Sequence, residues 1–312
     1  MTRVRSFRFY DIKFFLEKEI KSYCLCNRIR FTNNQISFVS ALMDSFKLVP
    51  GESMAITMES PVNYSWCGQI RTSEKNKVAW FTWLVESSKA VNADLAVLLE
   101  FLIQEAGLMG MESCAVIIDE GHWLTAPFRQ AGFSIIHRQI VLRKIVSGDK
   151  KAVDWEPAVL EPFNAVDLFY ESQIPAAIKP LGRDWAGGNV FSVKQGNHFR
   201  AIAKVTDDRI NKLYIEPIFH PGEEDPAGLI HSLAAQLLQA KELEVRVLIP
   251  GFQAWLLDAF EMDGFQTECK QQIFIKNLAV AITDDFLVRV AENPVLQPAG
   301  SRQFTSIKKQ ND

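Results

Sequence analysis

The stretch WLTAPFRQAGFSIIHRQIVLRK, Trp123 to Lys144, aligns without a gap to WLLDAFEMDGFQTECKQQIFIK, Trp255 to Lys276. Seven positions are identical: Trp123/Trp255, Leu124/Leu256, Phe128/Phe260, Gly132/Gly264, Phe133/Phe265, Gln139/Gln271 and Lys144/Lys276. Composition alone gives on the order of one or two such matches in a window of this length. The chain therefore contains a duplicated unit, and its architecture follows from reading that unit outward.

Within each copy a Leu and a Phe stand four apart, on one helical face, and a Gly four residues later suits the left-handed residue that ends a helix. Pro127 is awkward inside a helix, so the first copy's helix is expected to be short and to begin near Thr125. The stretch that follows, Phe133 to Leu142 or Phe265 to Ile275, is rich in Ile, Val and Phe and reads as a strand. Upstream lie short apolar runs of buried-strand character, CAVII at Cys114 to Ile118 and VRVLI at Val245 to Ile249. Before those, Asp94 to Leu108 and Ala227 to Ala240 carry apolar residues at helical spacing, and Val78 to Val85 and Lys212 to Phe219 read as further strands. Each half thus ends strand, helix, strand, helix, strand, which argues an α/β (α+β) fold built on a mixed sheet with helices packed on it.

The halves meet at Ser147 to Pro157 (SGDKKAVDWEP), a charged stretch with Gly and Pro. This places an N-terminal domain at 1–148, a linker at 149–156, a C-terminal domain at 157–290 and a flexible tail at 291–312. The first copy fits an extra helical region, Asn34 to Lys47, where the second has the Pro-broken Ile174 to Gly188.

Composition narrows the partners. In 312 residues, 34 Lys and Arg face 37 Asp and Glu, a formal charge of -3 that gives no electrostatic reason to expect nucleic-acid binding. No apolar run approaches the roughly 18 residues of a membrane span, and the opening MTRVRSFRFY leads into charged residues rather than a signal core, so a soluble cytoplasmic protein is expected. The five cysteines are an odd number with no disulfide framework, and the Cys24, Cys26 pair has no second pair at zinc spacing; reduced thiols and no metal are expected. No Ser, His and Asp grouping supports a hydrolase.

Each half resembles a GCN5-related N-acetyltransferase (GNAT) domain. The carrying features are the order strand, helix, strand, helix, G-F, strand and the pattern W-L-x-x-x-F-x-x-x-G-F, similar to the family's A-x-x-x-Y-x-x-x-G-F around its last helix. The opening RSFRFYDIKFFLEKEI, Arg5 to Ile20, also resembles the family's first strand leading through an Asp into a helix. The resemblance covers Val4 to Val146 and Pro157 to Leu278. It implies two tandem GNAT-like domains, each with a mixed, mostly antiparallel sheet, and acetyl-CoA or another acyl-CoA as cofactor.

In that family the strand before the long helix splays from its neighbour and holds the pantetheine arm by its backbone. A Q/R-x-x-G-x-G/A loop then offers amides to the pyrophosphate at a helix N-terminus. Here Ala90, Ala93 and Leu95 stand at the motif positions of the first copy, so its glycines are lost. The resemblance still implies cofactor contacts from Leu84 and Val85 on the strand, from Ser87, Ser88, Lys89 and Asn92 in the loop, and from His122 before the last helix. In the second copy Glu223, Glu224 and Asp225 would face a pyrophosphate and Pro226 removes an amide, so the first copy is the expected donor site. His220 lies in the same loop, whereas His231 and Gln236 read as helix-surface residues.

The family's usual acid, a Tyr four residues before G-F, corresponds to Phe128 and Phe260, which have no proton to give and read as core. A general base needs a carboxylate near the splayed strand. Glu86 and Glu216 are the candidates, with Glu216 also readable as a residue of the solvated sheet face. Trp66, Trp80 and Trp83 either fill the core or line an acceptor pocket. Two functions stand side by side. One is an N-acyltransferase moving an acyl group, acetyl by the resemblance, to a small-molecule or peptide amine. The other is a catalytically inactive GNAT-fold binding protein. An open cleft with outward amides at Val85 to Lys89 or Phe219 to Gly222 marks the first, and a sealed one the second.

Overall fold

A computed structural model of the chain describes residues 3–8, 11, 20–32, 52–60, 63–73, 76–87, 92–147, 154–158, 165–181, 189–207, 211–237 and 242–278. Met1–Leu278 forms one compact unit. The expected helical region 34–47 and the tail from 291 lie outside the described residues.

The strands in chain order are β1 (Arg3–Ser6), β2 (Ile20–Cys24), β3 (Glu52–Ser60), β4 (Asn63–Ser73), β5 (Val78–Ser87), β6 (Ser113–Asp119) and β7 (Ser134–Ser147) in the first half. The second half contributes β8 (Glu156–Pro157), β9 (Asn189–Gln195), β10 (His198–Asp207), β11 (Lys212–Phe219), β12 (Glu242–Pro250) and β13 (Gln266–Asn277). The helices are α1 (Asn27–Thr32), α2 (Asn92–Leu108), α3 (Thr125–Gln130), α4 (Ala165–Gln173), α5 (Pro226–Leu237) and α6 (Leu257–Met262). Both long helices, both short ones and all the repeat strands thus fall where the duplicated pattern puts them.

All thirteen strands among the described residues join one sheet, ordered β1-β3-β4-β5-β6-β13-β7-β12-β11-β10-β9-β8, with β2 on β5 off this path. Pairing is antiparallel except for β5 with β6 and β11 with β12. The order shows that the halves exchange their last strands. β13 of the second half lies against β6 of the first, and β7 of the first lies against β12 of the second. β7 and β13 run antiparallel with Gln139 opposite Gln271, so equivalent residues face each other across a pseudo-twofold axis.

The exchange explains which repeat residues are retained. At the end of each short helix, Gly132 and Gly264 adopt φ 89°, a left-handed conformation that suits glycine. Phe133 N–H donates to Phe128 O and Phe265 N–H to Phe260 O, both at 3.0 Å, closing a Schellman motif. The Phe pair on either side of each glycine meets edge to face, with ring centroids 5.1 Å apart in both copies. Lys276 then donates to Ala131 O of the first copy's helix end at 2.7 Å, and Lys144 donates to the equivalent Asp263 O of the second. Each lysine therefore caps the other copy's helix, a cation placed at the negative end of the dipole. Gln139 donates to Gln271 at 2.9 Å on the axis, and Asn27 exchanges amide hydrogen bonds with Gln271 at 2.7 and 2.9 Å.

Two hydrophobic cores follow the same logic. The first packs α2 residues such as Leu98 and Leu102 against Trp66, Ile70 and Phe81, and takes in Phe274 from β13. The second packs α5 residues such as Ile230 and Leu233 against Ala203 and Ile215, and takes in Leu142 and Val146 from β7. Trp155, inside the stretch read as a linker, is buried in this second core, its indole N–H donating to Leu229 O at 3.0 Å. The tryptophan is masked in sequence by the charges at Asp154 and Glu156.

His231 does not lie on a helix surface as expected, whereas Gln236 is exposed on α5. His231 is buried and pairs with Asp263, and Gln236 both accepts from and donates to the Trp155 backbone. The polarity of His231 hid the fact that a buried polar side chain can be satisfied by a partner distant in sequence. Among the described residues no helix is long and apolar enough to cross a membrane, and no three His, Cys, Asp or Glu side chains group as metal ligands. The five cysteines are free thiols.

Candidate functional site

The first half carries a splay at the expected strand. β5 pairs with β6 only over Val78–Trp80. On its other side β5 pairs with β4, with a register shift that leaves Thr82 without an opposite residue between Phe81 and Trp83. Such a bulge bends and twists the strand, and here β5 departs from β6 just before it. The edge so released is not open. β2 runs antiparallel along it, Ile20 opposite Ser87, Lys21 opposite Glu86, Ser22 opposite Val85, Tyr23 opposite Leu84 and Cys24 opposite Trp83. Leu25 N–H adds a bond to Thr82 O at 2.9 Å.

The sequence-derived residues fall around this strand. Leu84 and Val85 have their side chains buried and their backbone laddered to β2. Ser87 is buried and donates to Tyr64 O at 2.8 Å. Glu86, half-buried, accepts from the Tyr23 hydroxyl at 2.7 Å. Burial first, and then the bond and charge of Glu86, push the Tyr23 phenol up to about 12, so it stays protonated and holds the carboxylate as its acceptor. The His122 ring accepts the Leu124 N–H at 3.2 Å and meets Tyr23 edge to face at 5.7 Å. Trp123 lies 5.6 Å and Trp66 6.5 Å from the same Tyr23 ring. Glu86 and His122 thus converge on one phenol. Ser88 and Lys89 lie outside the described residues, as does the side chain of Asn92, which opens α2. Asp94, buried in the first turn of α2, brings a carboxyl group to that helix end.

Of the tryptophans, Trp66 and Trp83 are buried while Trp80 is half-buried against a small cluster with Ile273 and Leu181. Phe128 and Phe260 are both fully buried core residues.

The second half is splayed as well. β11 pairs with β12 only over Lys212–Ile215. Beyond it, the carboxamide of Gln253 bridges the backbone of Phe219, accepting from its N–H at 3.3 Å and donating to its carbonyl at 2.7 Å. Pro217 has no N–H to offer. Glu216 stands directly opposite Lys204 in the β10–β11 ladder, an opposite-charge cross-strand position. On the same sheet face Tyr214 is buried beneath Phe31 of α1, ring centroids 5.5 Å apart.

The loop before α5 turns its acids on itself. Asp225 caps the helix by accepting the Gly228 N–H at 2.9 Å, with Pro226 in the first helical position. Glu223 accepts both arms of Arg200, at 2.6 and 2.8 Å, and the Asp225 N–H at 2.9 Å. Burial opposes its ionisation, yet Arg200 and these amides outweigh that and hold the carboxyl below its usual range. The Gly222 N–H goes to the His220 ring at 3.1 Å. The Gly222, Glu223, Asp225 and Gly228 amides are therefore engaged, and a fixed anion occupies the helix N-terminus.

Sequence reasoning located both splayed strands and foresaw the acidic loop. It missed β2 and Gln253, because a strand that pairs in a cleft and a glutamine that imitates a peptide group have no periodic signature.

No protein-family model matches the sequence, and no curated protein does. Solved structures do share its architecture. A GCN5-related N-acetyltransferase from Sphaerobacter thermophilus superposes with a TM-score of 0.54 at 10% identity, over 90% of this chain and 97% of that one. A putative acetyltransferase from Pyrococcus horikoshii gives 0.54 at 12% identity, over 91% and 92% of the two chains. A tandem GNAT protein from the clavulanic acid biosynthesis pathway gives 0.53 at 9% identity, over 90% and 100%. With both splayed strands, both G-F helix ends and these full-length superpositions in view, the chain has the tandem GCN5-related N-acetyltransferase fold.

Proposed function

We propose that this chain is a GNAT-fold binding protein that does not transfer acetyl groups from CoA at either of its splayed strands. One observation carries the reading: in both halves the backbone that would face a pantetheine arm is bonded within the chain, to β2 over Trp83–Ser87 and to Gln253 at Phe219. The carboxylate cap at α5 and the buried Phe128 and Phe260 support it, since the first repels a pyrophosphate and the second pair cannot protonate a thiolate. Five free thiols favour a reducing compartment such as the cytoplasm.

A second reading, N-acyl transfer in the first half, draws on the meeting of Glu86 and His122 beside a bulged and splayed β5. With β2 displaced, Leu84 and Val85 amides would polarise the thioester of an acyl-CoA. Ser87, Ser88, Lys89, Asn92 and His122 would contact the rest of that cofactor, with Glu216 of the second half a more remote candidate base. A small-molecule or peptide amine would form the C–N bond as the C–S bond breaks, Glu86 taking the amine proton and the thiolate leaving to take one from water.

Calorimetric titration with acetyl-CoA, a longer acyl-CoA and free CoA separates the two. The binding reading expects no heat below millimolar ligand. Micromolar binding that weakens in Lys89→Glu but not in Glu224→Lys would place a cofactor site in the first half and turn the search to an amine acceptor.

A further inference from the structure

We propose that the β5 edge from Trp83 to Ser87 is a binding site for an extended peptide carrying a tyrosine, and that β2 occupies it as a replaceable segment of the chain itself. The proposal rests on the binding reading above and names its class of ligand.

The site has the two parts that strand-addition recognition requires, a backbone ladder for affinity and a side-chain pocket for selectivity. The ladder is the five-residue antiparallel register already described. The pocket receives Tyr23, which packs on Trp66, His122 and Trp123 and donates its hydroxyl to Glu86. All four walls belong to β4, β5 and the turn before α3, so they are built without β2.

β2 itself is bound as a ligand is bound. None of its five residues is fully buried, and Lys21 and Ser22 are exposed, whereas all but one of the β5 residues they face are buried. Among the described strands it pairs with β5 alone. The helix that follows is anchored separately, by Asn27 on Gln271 and by Arg30 on Asp119 at 2.8 Å, so residues 20–24 can leave while α1 stays. A tethered segment competes at an effective concentration of about millimolar, so a free peptide gains access once β2 is weakened.

The test uses the full chain and two labelled peptides followed by fluorescence anisotropy: IKSYSL, residues 20–25 with serine in place of Cys24, and the same peptide with alanine for the tyrosine. The Tyr23→Ala variant is expected to bind the tyrosine peptide at least ~10-fold more tightly than the wild type does, in line with removal of that competition, and to show no binding of the alanine peptide. Hydrogen exchange at residues 83–87 should rise in the variant and fall again with the tyrosine peptide. Unchanged protection without peptide binding, or equal binding of both peptides, overturns the proposal. Should Tyr23→Ala lose its melting transition, Lys21→Pro weakens β2 at an exposed position and carries the same comparison. Capture of the tyrosine peptide by a chain that also binds CoA would sink the non-transferase reading alone. Silence towards both ligands would sink the peptide site alone.

Discussion

Replacing Phe274 with alanine tests the exchange of strands most directly. Phe274 lies on β13, in the second half of the sequence, yet it is fully buried in the core of the first half, opposite Val116 of β6. Truncating a buried Phe to Ala costs about 3 to 5 kcal/mol, from the lost transfer energy and the cavity left behind. At 1.4 kcal/mol per decade that is roughly a hundred- to a few-thousand-fold in any opening equilibrium that exposes the core. Native-state hydrogen exchange read by mass spectrometry should show this loss of protection in α2, more than 160 residues upstream. The repeat supplies a mirror experiment, because Leu142 is the equivalent of Phe274 and lies in the core of the second half. Leu142→Ala, expected to cost about 2 to 5 kcal/mol, should deprotect α5. If Phe274→Ala left α2 fully protected while α5 loosened, each strand would belong to its own half and the reasoning would fail.

Three further outcomes follow from the same geometry. Gly132→Ala and Gly264→Ala each force a side chain into the left-handed region and should lower stability in urea by about 1 to 2 kcal/mol apiece, equally in the two copies. Asp225→Ala removes the α5 cap and should cost about 1 kcal/mol without creating CoA affinity, since Glu223 remains. At Asp263 burial raises the carboxyl pKa, but hydrogen bonds from Lys144 and His231 outweigh it and hold the pKa below its usual value. A depressed folded pKa stabilises above the unfolded value of about 4 and is lost as pH falls through the folded one. The stability gap between wild type and Asp263→Asn, measured by denaturant midpoints from pH 7 to pH 2, should therefore be flat near neutrality and close below about pH 4; a gap that widened on acidification would contradict the pairing.

The sequence by itself determined the elements and their duplication. Helix ends, buried strands and the alternation of both are local properties, and the residues that set them are present in each copy: Leu124 and Phe128 on one helical face, Gly132 to turn the chain, Phe133 to close over the turn. The same residues carried the resemblance to the GNAT fold, and the losses at Ala90, Phe128 and Pro226 were visible without coordinates. What only the tertiary structure decided is which copy each strand serves and what fills each cleft. β7 and β13 have almost the same pattern, so either would satisfy the hydrophobic demand of β6 or β12; long-range register, with Gln139 opposite Gln271 and Lys144 and Lys276 reaching across, makes the choice. β2 acts through backbone hydrogen bonds, which any residue except proline can offer as donor and acceptor, and the Gln253 carboxamide meets only the backbone of Phe219. A contact accepted by a backbone leaves no mark on the residues whose backbone it uses. For that reason the clefts were legible in the sequence and their occupants were not.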